Sequence, residues 1–182
     1  MSSAIFPRAM PMTEEEYFAL GETPDRVELF DGSLLVTPAP TPRHQHISRR
    51  LANALEASGP ALYVVEAVNV RLRPGLIPIP DIVITEAIDF DSPVIDAEAV
   101  HLVCEIVSPS NAATDKVLKM HHYAVAGIPW YLLVEQETGA LHLYRLVGDR
   151  YKEQSVTRAG QALELTEPVQ VTIFPADLLP PG

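Results

Sequence analysis

The sequence has 182 residues, a net charge of −11, a single cysteine and 47% hydrophobic residues. That apolar content excludes a disordered chain, because the chain can bury enough surface to offset the entropy of folding. One cysteine excludes a disulfide framework and a zinc site built of thiolates alone. The excess of 24 Asp and Glu over 13 Lys and Arg argues against a protein that coats nucleic acid, because phosphates are bound by neutralising cations.

The N-terminal residues do not have the pattern of a secretory signal. They lack the charged and then apolar pattern of a secretory signal, and no apolar run approaches the ~18 residues of a membrane span. We therefore expect a cytoplasmic protein with no membrane partner. Without an internal repeat or a long linker, residues 1–182 are predicted to form a single domain, with a core over 12–155 and flexible ends at 1–11 and 175–182.

The first third of the chain alternates helix and hairpin signals. Thr13 followed by three glutamates predicts a short capped helix, since acids favour the positive end of the helix dipole. Asp31 and Gly32 lie between two apolar runs and predict a tight hairpin. Apolar residues at a spacing of three and four predict a helix over 43–58.

The rest of the chain is dominated by strand patterns. Alternating or continuous apolar runs predict strands over 62–72, 81–85, 100–107, 130–134, 141–146 and 151–156. A helix is predicted over 112–126, where Gly127 ends it. Residues 102–107 and 130–134 are apolar enough for interior strands. We predict a mixed α/β or α+β fold with a central mixed sheet flanked by helices, and with the N-terminal helix and hairpin as an extension.

Two acids interrupt apolar strand runs. Asp81 comes between Pro80 and a run of three apolar β-branched residues, and Glu105 lies inside the run 102–107. A buried carboxylate needs a partner or a cation, because burying it bare costs several kcal/mol. Two carboxylates at adjacent strand ends are ligands that suit Mg²⁺, with water and phosphate completing its shell. The alternative is that each acid faces solvent or caps a neighbouring loop.

The second predicted helix carries polar residues on one face. Asp115, Lys119 and Tyr123 are spaced by four residues, shortly after the strand that holds Glu105. This arrangement would bring an ammonium group to a metal-bound water or to a phosphate. The alternative for such a pair is a surface salt bridge of little energetic consequence.

The chain combines several short motifs: Glu28-Leu29-Phe30-Asp31-Gly32, Pro38-Ala39-Pro40, His44, Pro80-Asp81, Glu105-Ile106-Val107-Ser108-Pro109-Ser110, Asp115-x3-Lys119-x3-Tyr123-x3-Gly127 and Trp130-Tyr131. In order and spacing, these motifs resemble the bacterial Uma-two family, whose members are regarded as endonucleases of the PD-(D/E)XK, or restriction-endonuclease-like, superfamily. The resemblance covers roughly residues 12–155.

The resemblance implies roles for individual residues. Asp81 matches the first metal-binding acid of the superfamily and Glu105 matches the second. Position 107, where the superfamily lysine would stand, is Val. The Uma-like pattern points instead to Lys119 on the following helix, with Lys116 as its substitute. Glu28 matches the N-terminal acid and would be a third metal ligand, although a structural role in the hairpin is equally open.

The implied activity is hydrolysis of DNA phosphodiester bonds with Mg²⁺ or Mn²⁺ as the cofactor. The metal would neutralise charge in the transition state and lysine would act on the attacking water or the phosphate. A homodimer is expected, since two copies of one site are suited to cutting two strands. One alternative is a nuclease fold that is inactive or redirected to binding or regulation. Another is a metallohydrolase that acts on something other than nucleic acid.

The remaining candidates are polar or nucleophilic side chains. His44 is a candidate phosphate or substrate contact, while His44 and His46 face different sides of a helix and so disfavour a zinc site. Tyr123 is interpreted as a packing residue or an orienting hydrogen-bond donor, and Tyr123 and Lys116 are further candidates for contact with the substrate. Cys104 alternates away from Glu105 and is predicted to be a core residue.

The charge is distributed unevenly along the chain. Residues 43–73 contain five arginines against two glutamates, a net charge of +3, so the rest of the chain carries −14. A local basic patch beside the predicted site is therefore expected, although arginines on one helix are also typical of a solvated surface. The arginines are Arg43, Arg49, Arg50, Arg71 and Arg73.

Overall fold

A computed structural model describes residues 4–6, 11–59, 61–107 and 114–181. Its centre is a six-stranded sheet in the order β12-β11-β10-β9-β7-β4. The pair β9–β10 is parallel and the other neighbours are antiparallel. The strands are β4 (Tyr63–Glu66), β7 (Ile82–Thr85), β9 (Val100–Val107), β10 (Trp130–Glu135), β11 (Leu141–Val147) and β12 (Arg150–Thr157).

A second, four-stranded antiparallel sheet has the order β1-β3-β2-β6. Its strands are β1 (Ala4–Phe6), β2 (Arg26–Phe30), β3 (Ser33–Thr37) and β6 (Leu76–Ile77). The β2–β3 turn places Asp31 and Gly32 at φ values of 51° and 78°, as a tight hairpin turn requires. A Cβ on Gly32 would lie 2.4 Å from the Cβ of Pro11, so this turn has no room for a larger residue.

Two smaller pairs and four α-helices complete the described chain. The pairs are β5 (Val70–Arg71) with β8 (Ile95–Asp96) and β13 (Leu163–Leu165) with β14 (Val171–Ile173), and a 3₁₀ turn occupies Ala97–Ala99. The helices are α1 (Glu14–Phe18), α2 (Pro42–Glu56), α3 (Thr114–Val125) and α4 (Pro175–Leu178). None of the helices described is long and apolar enough to cross a membrane.

Apolar residues cover both faces of the large sheet. On one face, Ile47, Leu51 and Leu55 of α2 pack in a cluster that includes Leu102 and Cys104 of β9. On the other face, a second cluster joins Tyr123 of α3 to apolar residues of β7, β9 and β10, including Val83, Val103 and Tyr131. The parallel β9–β10 pair is spanned by α3, which is the usual crossover element between parallel strands.

The predicted elements agree with most of this architecture. The mixed fold, the central sheet with its helices, and the N-terminal helix and hairpin are all confirmed, and Thr13 and Glu16 form the capping box of α1. The single strand predicted over 62–72 is wrong. Ala67 has a φ of 52°, which breaks the extended run into β4 and β5 in different sheets. Residues 112 and 113 of the predicted third helix lie outside the described residues.

Some short elements carry too little pattern to be predicted. Strands β6 and β8 have two residues each and β13 and β14 have three, so no alternation develops in them. At the ends, where the sequence suggests flexible segments, the structure contains β1, paired with β3, and α4, in which Leu178 is buried.

Candidate active site

Strand pairing brings the two predicted metal-binding acids side by side. Ile82 of β7 is the register partner of Cys104 of β9, so Asp81 lies next to Glu105 across the antiparallel pair. The amide of Asp81 donates to the carbonyl of Cys104 at 3.1 Å, and the amide of Ile106 donates to Oδ2 of Asp81 at 2.8 Å. Both acids are buried, at 3% and 8% exposure, so the alternative in which they face solvent does not hold.

Asp81 is held by two basic side chains. Nη1 of Arg26 lies 2.7 Å from Oδ1, and Nε2 of His44 lies 3.1 Å from Oδ2. Burial by itself would raise the pKa of Asp81, but the hydrogen bond from His44 and the charge of Arg26 outweigh it and leave the pKa well below its usual value. Asp81 is therefore an ionised carboxylate in a buried setting.

Arg26 is the site residue that the sequence did not predict. Its Nη1 also donates to the carbonyl of Ile79 at 3.3 Å, and the charges of Asp81 and Glu105 raise its pKa against the effect of burial. A signal was available in the alternation of β2. Residues two apart in a strand share a face, so a site that includes Glu28 also receives Arg26.

Glu105 behaves differently from Asp81. The hydroxyl of Tyr123 donates to its Oε1 at 2.7 Å, and Nζ of Lys119 lies 3.5 Å from the same oxygen. Burial raises the pKa of Glu105 to about 7, and the charges of Asp81 and Glu28 add to this increase while Lys119 and Tyr123 oppose it. Glu105 thus exchanges its proton near neutral pH.

Lys119 connects the two sheets electrostatically. Its Nζ lies 2.8 Å from Oε1 of Glu28 on β2, in addition to its contact with Glu105 on β9. Burial would lower the pKa of Lys119, but the charges of Glu105 and Glu28 raise it above the usual value, so the side chain stays an ammonium. The alternative of an exposed surface pair is wrong, because the Lys119 side chain is only 12% exposed.

Glu28 is fully buried and only half satisfied. Its Oε1 accepts from Lys119 and from the amide of Ile79, the latter at 2.6 Å. Its Oε2 is buried and has no hydrogen-bond partner among the described residues. A buried carboxylate oxygen without a donor is costly, and a cation or a water would satisfy it.

The structure therefore gathers most of the predicted residues. Side-chain contacts link Glu28, Lys119, Glu105 and Tyr123. Asp81 adjoins this cluster through the backbone of β9, and His44 joins it through Asp81. Tyr123 is both a buried packing residue and a donor to Glu105, and Cys104 lies in the core on the α2 side. The side chains of Asp115 and Lys116 lie outside what the structure describes.

The donor set fits a hard divalent cation in its chemistry. Asp81 and Glu105 are neighbours across β7 and β9, Glu28 shares Lys119 with Glu105, and Oε2 of Glu28 has no partner within the described chain. The same part of the chain contains no group of three or more His, Cys, Asp or Glu side chains placed to hold a metal ion. A cation at this point would thus take few protein ligands and complete its shell with water and phosphate, as Mg²⁺ commonly does.

Comparison with known proteins identifies the family. A family model with the description "Putative restriction endonuclease" matches residues 14–177, from α1 to α4. The chain belongs to the Uma2 family. The resemblance read from the sequence motifs is thereby confirmed, and the match contains Arg26, Glu28, His44, Asp81, Glu105, Lys119 and Tyr123.

The Uma2 chain is also similar in fold to a solved structure. This is the crystal structure of "a putative nuclease belonging to DUF820" from Anabaena variabilis, with a TM-score of 0.72 and 17% sequence identity. The similarity covers 92% of this chain and 97% of the other. A search of curated proteins found no match. Family and fold together support a nuclease of the restriction-endonuclease type.

The raised pKa of Glu105 predicts a pH dependence of stability. Between about pH 4.5 and pH 7 the folded protein retains a proton that the unfolded chain releases, so the contribution of Glu105 to stability falls as the pH rises. The wild type should lose stability from about pH 5 to pH 8, whereas Gln at this position does not titrate. The unfolding free energy of Glu105→Gln should therefore rise relative to that of the wild type by on the order of 2 kcal/mol over this interval. Chemical denaturation in EDTA measures this difference.

Glu98→Gln is the matched control, because Glu98 is an exposed glutamate outside the site. The difference in unfolding free energy between wild type and variant should depend on pH for Glu105→Gln and not for Glu98→Gln. If it is independent of pH for both variants, Glu105 is not a group that titrates near neutral pH.

Proposed function

We propose that this Uma2 chain is a metal-dependent DNA endonuclease that hydrolyses phosphodiester bonds at the cluster of Asp81, Glu105 and Lys119. One observation carries the proposal. Lys119 of α3 reaches back to the carboxylates of Glu28 and Glu105, at 2.8 and 3.5 Å. It supplies an ammonium where Val107 occupies the usual lysine position of the superfamily. In this proposal Lys119 on α3 takes the part that the strand lysine has in the superfamily.

Asp81 and Glu105 are the residues that would hold Mg²⁺ or Mn²⁺, with Glu28 as a third carboxylate. The lowered pKa of Asp81 keeps one ligand ionised, and the buried Oε2 of Glu28 offers a further oxygen. When bound, the ion supplies Lewis-acid stabilisation of the pentavalent phosphate and a more acidic water. Because Glu105 protonates near pH 7, raising the pH toward 8 favours the form of this residue that binds a cation.

The other residues of the site position the reacting groups and neutralise negative charge. Lys119 stays an ammonium and would donate to the attacking water or to a phosphate oxygen. Tyr123 fixes Oε1 of Glu105 through a 2.7 Å hydrogen bond. His44, at the edge of the site on Asp81, is proposed as a substrate contact, and Lys116 remains a second candidate for contact with the phosphate. A homodimer would present two such sites to the two strands of a duplex.

An alternative proposal is a nuclease fold that has lost or redirected its activity. The observation that favours it is the pairing of Asp81, whose two oxygens are engaged by Arg26 and His44. A cation must compete with both for the same carboxylate. The overall charge of −11 also opposes tight binding of DNA in general.

Cleavage of plasmid and oligonucleotide DNA with Mg²⁺ or Mn²⁺ separates these two proposals. We expect cleavage by the wild type, and a loss of about 100-fold or more in Asp81→Asn, Glu105→Gln and Lys119→Met. The first two remove a ligand of the cation, and the third removes the ammonium that acts on the water or the phosphate. Glu98→Gln, purified in parallel, should cleave like the wild type. Cleavage that survives both acid substitutions would place the activity elsewhere, and an inactive wild type would favour the redirected fold.

Arg26 should weaken cation binding because it competes for Asp81. In Arg26→Gln, which frees Oδ1 of Asp81, we expect Mn²⁺ affinity to rise by roughly 10-fold, a shift of about 1.4 kcal/mol. Titration calorimetry or Mn²⁺ paramagnetic resonance measures this without DNA. His44→Gln provides a second test, because it removes the imidazole hydrogen bond to Oδ2 of Asp81 and should also raise the affinity for Mn²⁺.

Arg71→Gln serves as the control, because Arg71 pairs with Glu14 and Asp96 rather than with Asp81. Unchanged or weaker Mn²⁺ binding in both folded site variants would show that Arg26 and His44 do not compete with a cation at Asp81.

A further inference from the structure

The arginines of this acidic chain fall into two groups. Within the described residues, most of them lie within 4 Å of a carboxylate, namely Arg26, Arg71, Arg73, Arg145 and Arg150. The three arginines of α2 form no such pair in this part of the chain. Nε of Arg50 donates to the backbone carbonyl of Asp177 at 2.9 Å, which leaves its charge uncompensated. Arg158, which follows β12, is a fourth described arginine without such a pair, so three of these four arginines lie on one helix.

The packing of α2 fixes where these arginines point. Ile47, Leu51 and Leu55 are buried against the large sheet, which orients the opposite side of the helix toward solvent. Arg43, Arg49 and Arg50 are exposed on that opposite side. We call these three residues the arginine face. The single acid of α2 is Glu56, at its last residue, so no carboxylate of the helix interrupts the face.

The arginine face begins at the candidate active site. His44 lies in the first turn of α2, where it contacts Asp81 at 3.1 Å, and Arg43 is its neighbour in sequence. The helix has 15 residues and so extends for about 22 Å from that point. Arg43 and Arg50 are separated by about 10 Å along the axis, which is comparable to the width of a DNA groove.

The structure also narrows the basic patch expected from the sequence. That patch included Arg71 and Arg73, but Arg71 pairs with Glu14 and Asp96, and Arg73 pairs with Asp31. These two arginines are neutralised within the fold. Among the arginines of the patch, only those of α2 therefore carry positive charge that is available to a ligand near the site.

We infer that the arginine face binds the phosphate backbone of duplex DNA beside the bond to be cut. The inference rests on the proposed nuclease function and adds to it the surface that positions the substrate. Charge complementarity carries it, because phosphates are bound by arginines whose charge is not already compensated. Contacts to phosphates position a duplex without reading its bases, so we expect this contact to bind without sequence preference.

The test is the affinity for a fluorescein-labelled duplex of about 20 base pairs in EDTA, followed by anisotropy from about 50 to 200 mM salt. The triple variant Arg43→Gln, Arg49→Gln, Arg50→Gln should bind at least about 10-fold more weakly at low salt. The slope of log affinity against log salt should fall by about 2 to 3, at roughly 0.9 for each phosphate that is no longer neutralised. In the double variant Arg43→Gln, Arg49→Gln, which keeps the Arg50–Asp177 hydrogen bond, the slope should fall by about 2.

The matched control removes the same charge elsewhere. Arg145→Gln, Arg150→Gln, Arg158→Gln replaces three exposed arginines that lie outside α2, and should change affinity by less than about 3-fold. Equal decreases in affinity in the two triple variants would overturn the inference, since net charge alone would then explain binding. Unchanged affinity in the folded α2 variants would also overturn it.

Failure of this inference and failure of the nuclease proposal give different results. If the wild type cleaves DNA and the α2 variants bind DNA as the wild type does, the role of the arginine face is contradicted and the nuclease proposal is supported. If only the α2 variants lose DNA binding, and the wild type does not cleave DNA with Mg²⁺ or Mn²⁺, the DNA-binding role of the arginine face is supported and the nuclease proposal is contradicted.

Discussion

The buried ammonium of Lys119 is the contact on which the site depends. Strand β2 of the small sheet and strand β9 of the large sheet each bring a glutamate into the interior, and α3 places one cation at hydrogen-bond distance from Glu28 and within 3.5 Å of Glu105. Removing one partner from a buried ion pair costs several kcal/mol, because the remaining charge stays desolvated. Loss of any one of these three side chains would therefore destabilise the contact among the two sheets and α3 around the site.

The two central carboxylates are separated chemically by their surroundings. Asp81 receives hydrogen bonds from Arg26, His44 and the amide of Ile106, which lower its pKa despite its burial. Burial raises the pKa of Glu105 to about 7, and the neighbouring ammonium and phenol oppose this rise only in part. Neighbouring acids with divergent pKa values are typical of functional sites, since one stays charged while the other exchanges a proton. A cation bound between them would favour the ionised form of Glu105.

The sequence predicted those parts of the fold and site that depend on local pattern. Acids inside apolar runs marked Asp81 and Glu105, and helical spacing put Lys119 and Tyr123 on one face. Arg26 was missed because its contact with Asp81 joins residues 55 positions apart, and the one local signal was that Arg26 and Glu28 share a face of β2. The break at Ala67 was missed for a similar reason, since a left-handed alanine has no sequence signature.

Anomalous diffraction from crystals of the wild-type protein soaked in Mn²⁺ tests the central claim most directly. The account predicts a manganese peak in contact with the carboxylates of Asp81 and Glu105, with Lys119 still within reach of Glu28 and Asp81 released from Arg26 or His44. A crystal at saturating Mn²⁺ with no peak at these carboxylates, and with Asp81 still bound to both Arg26 and His44, would contradict it.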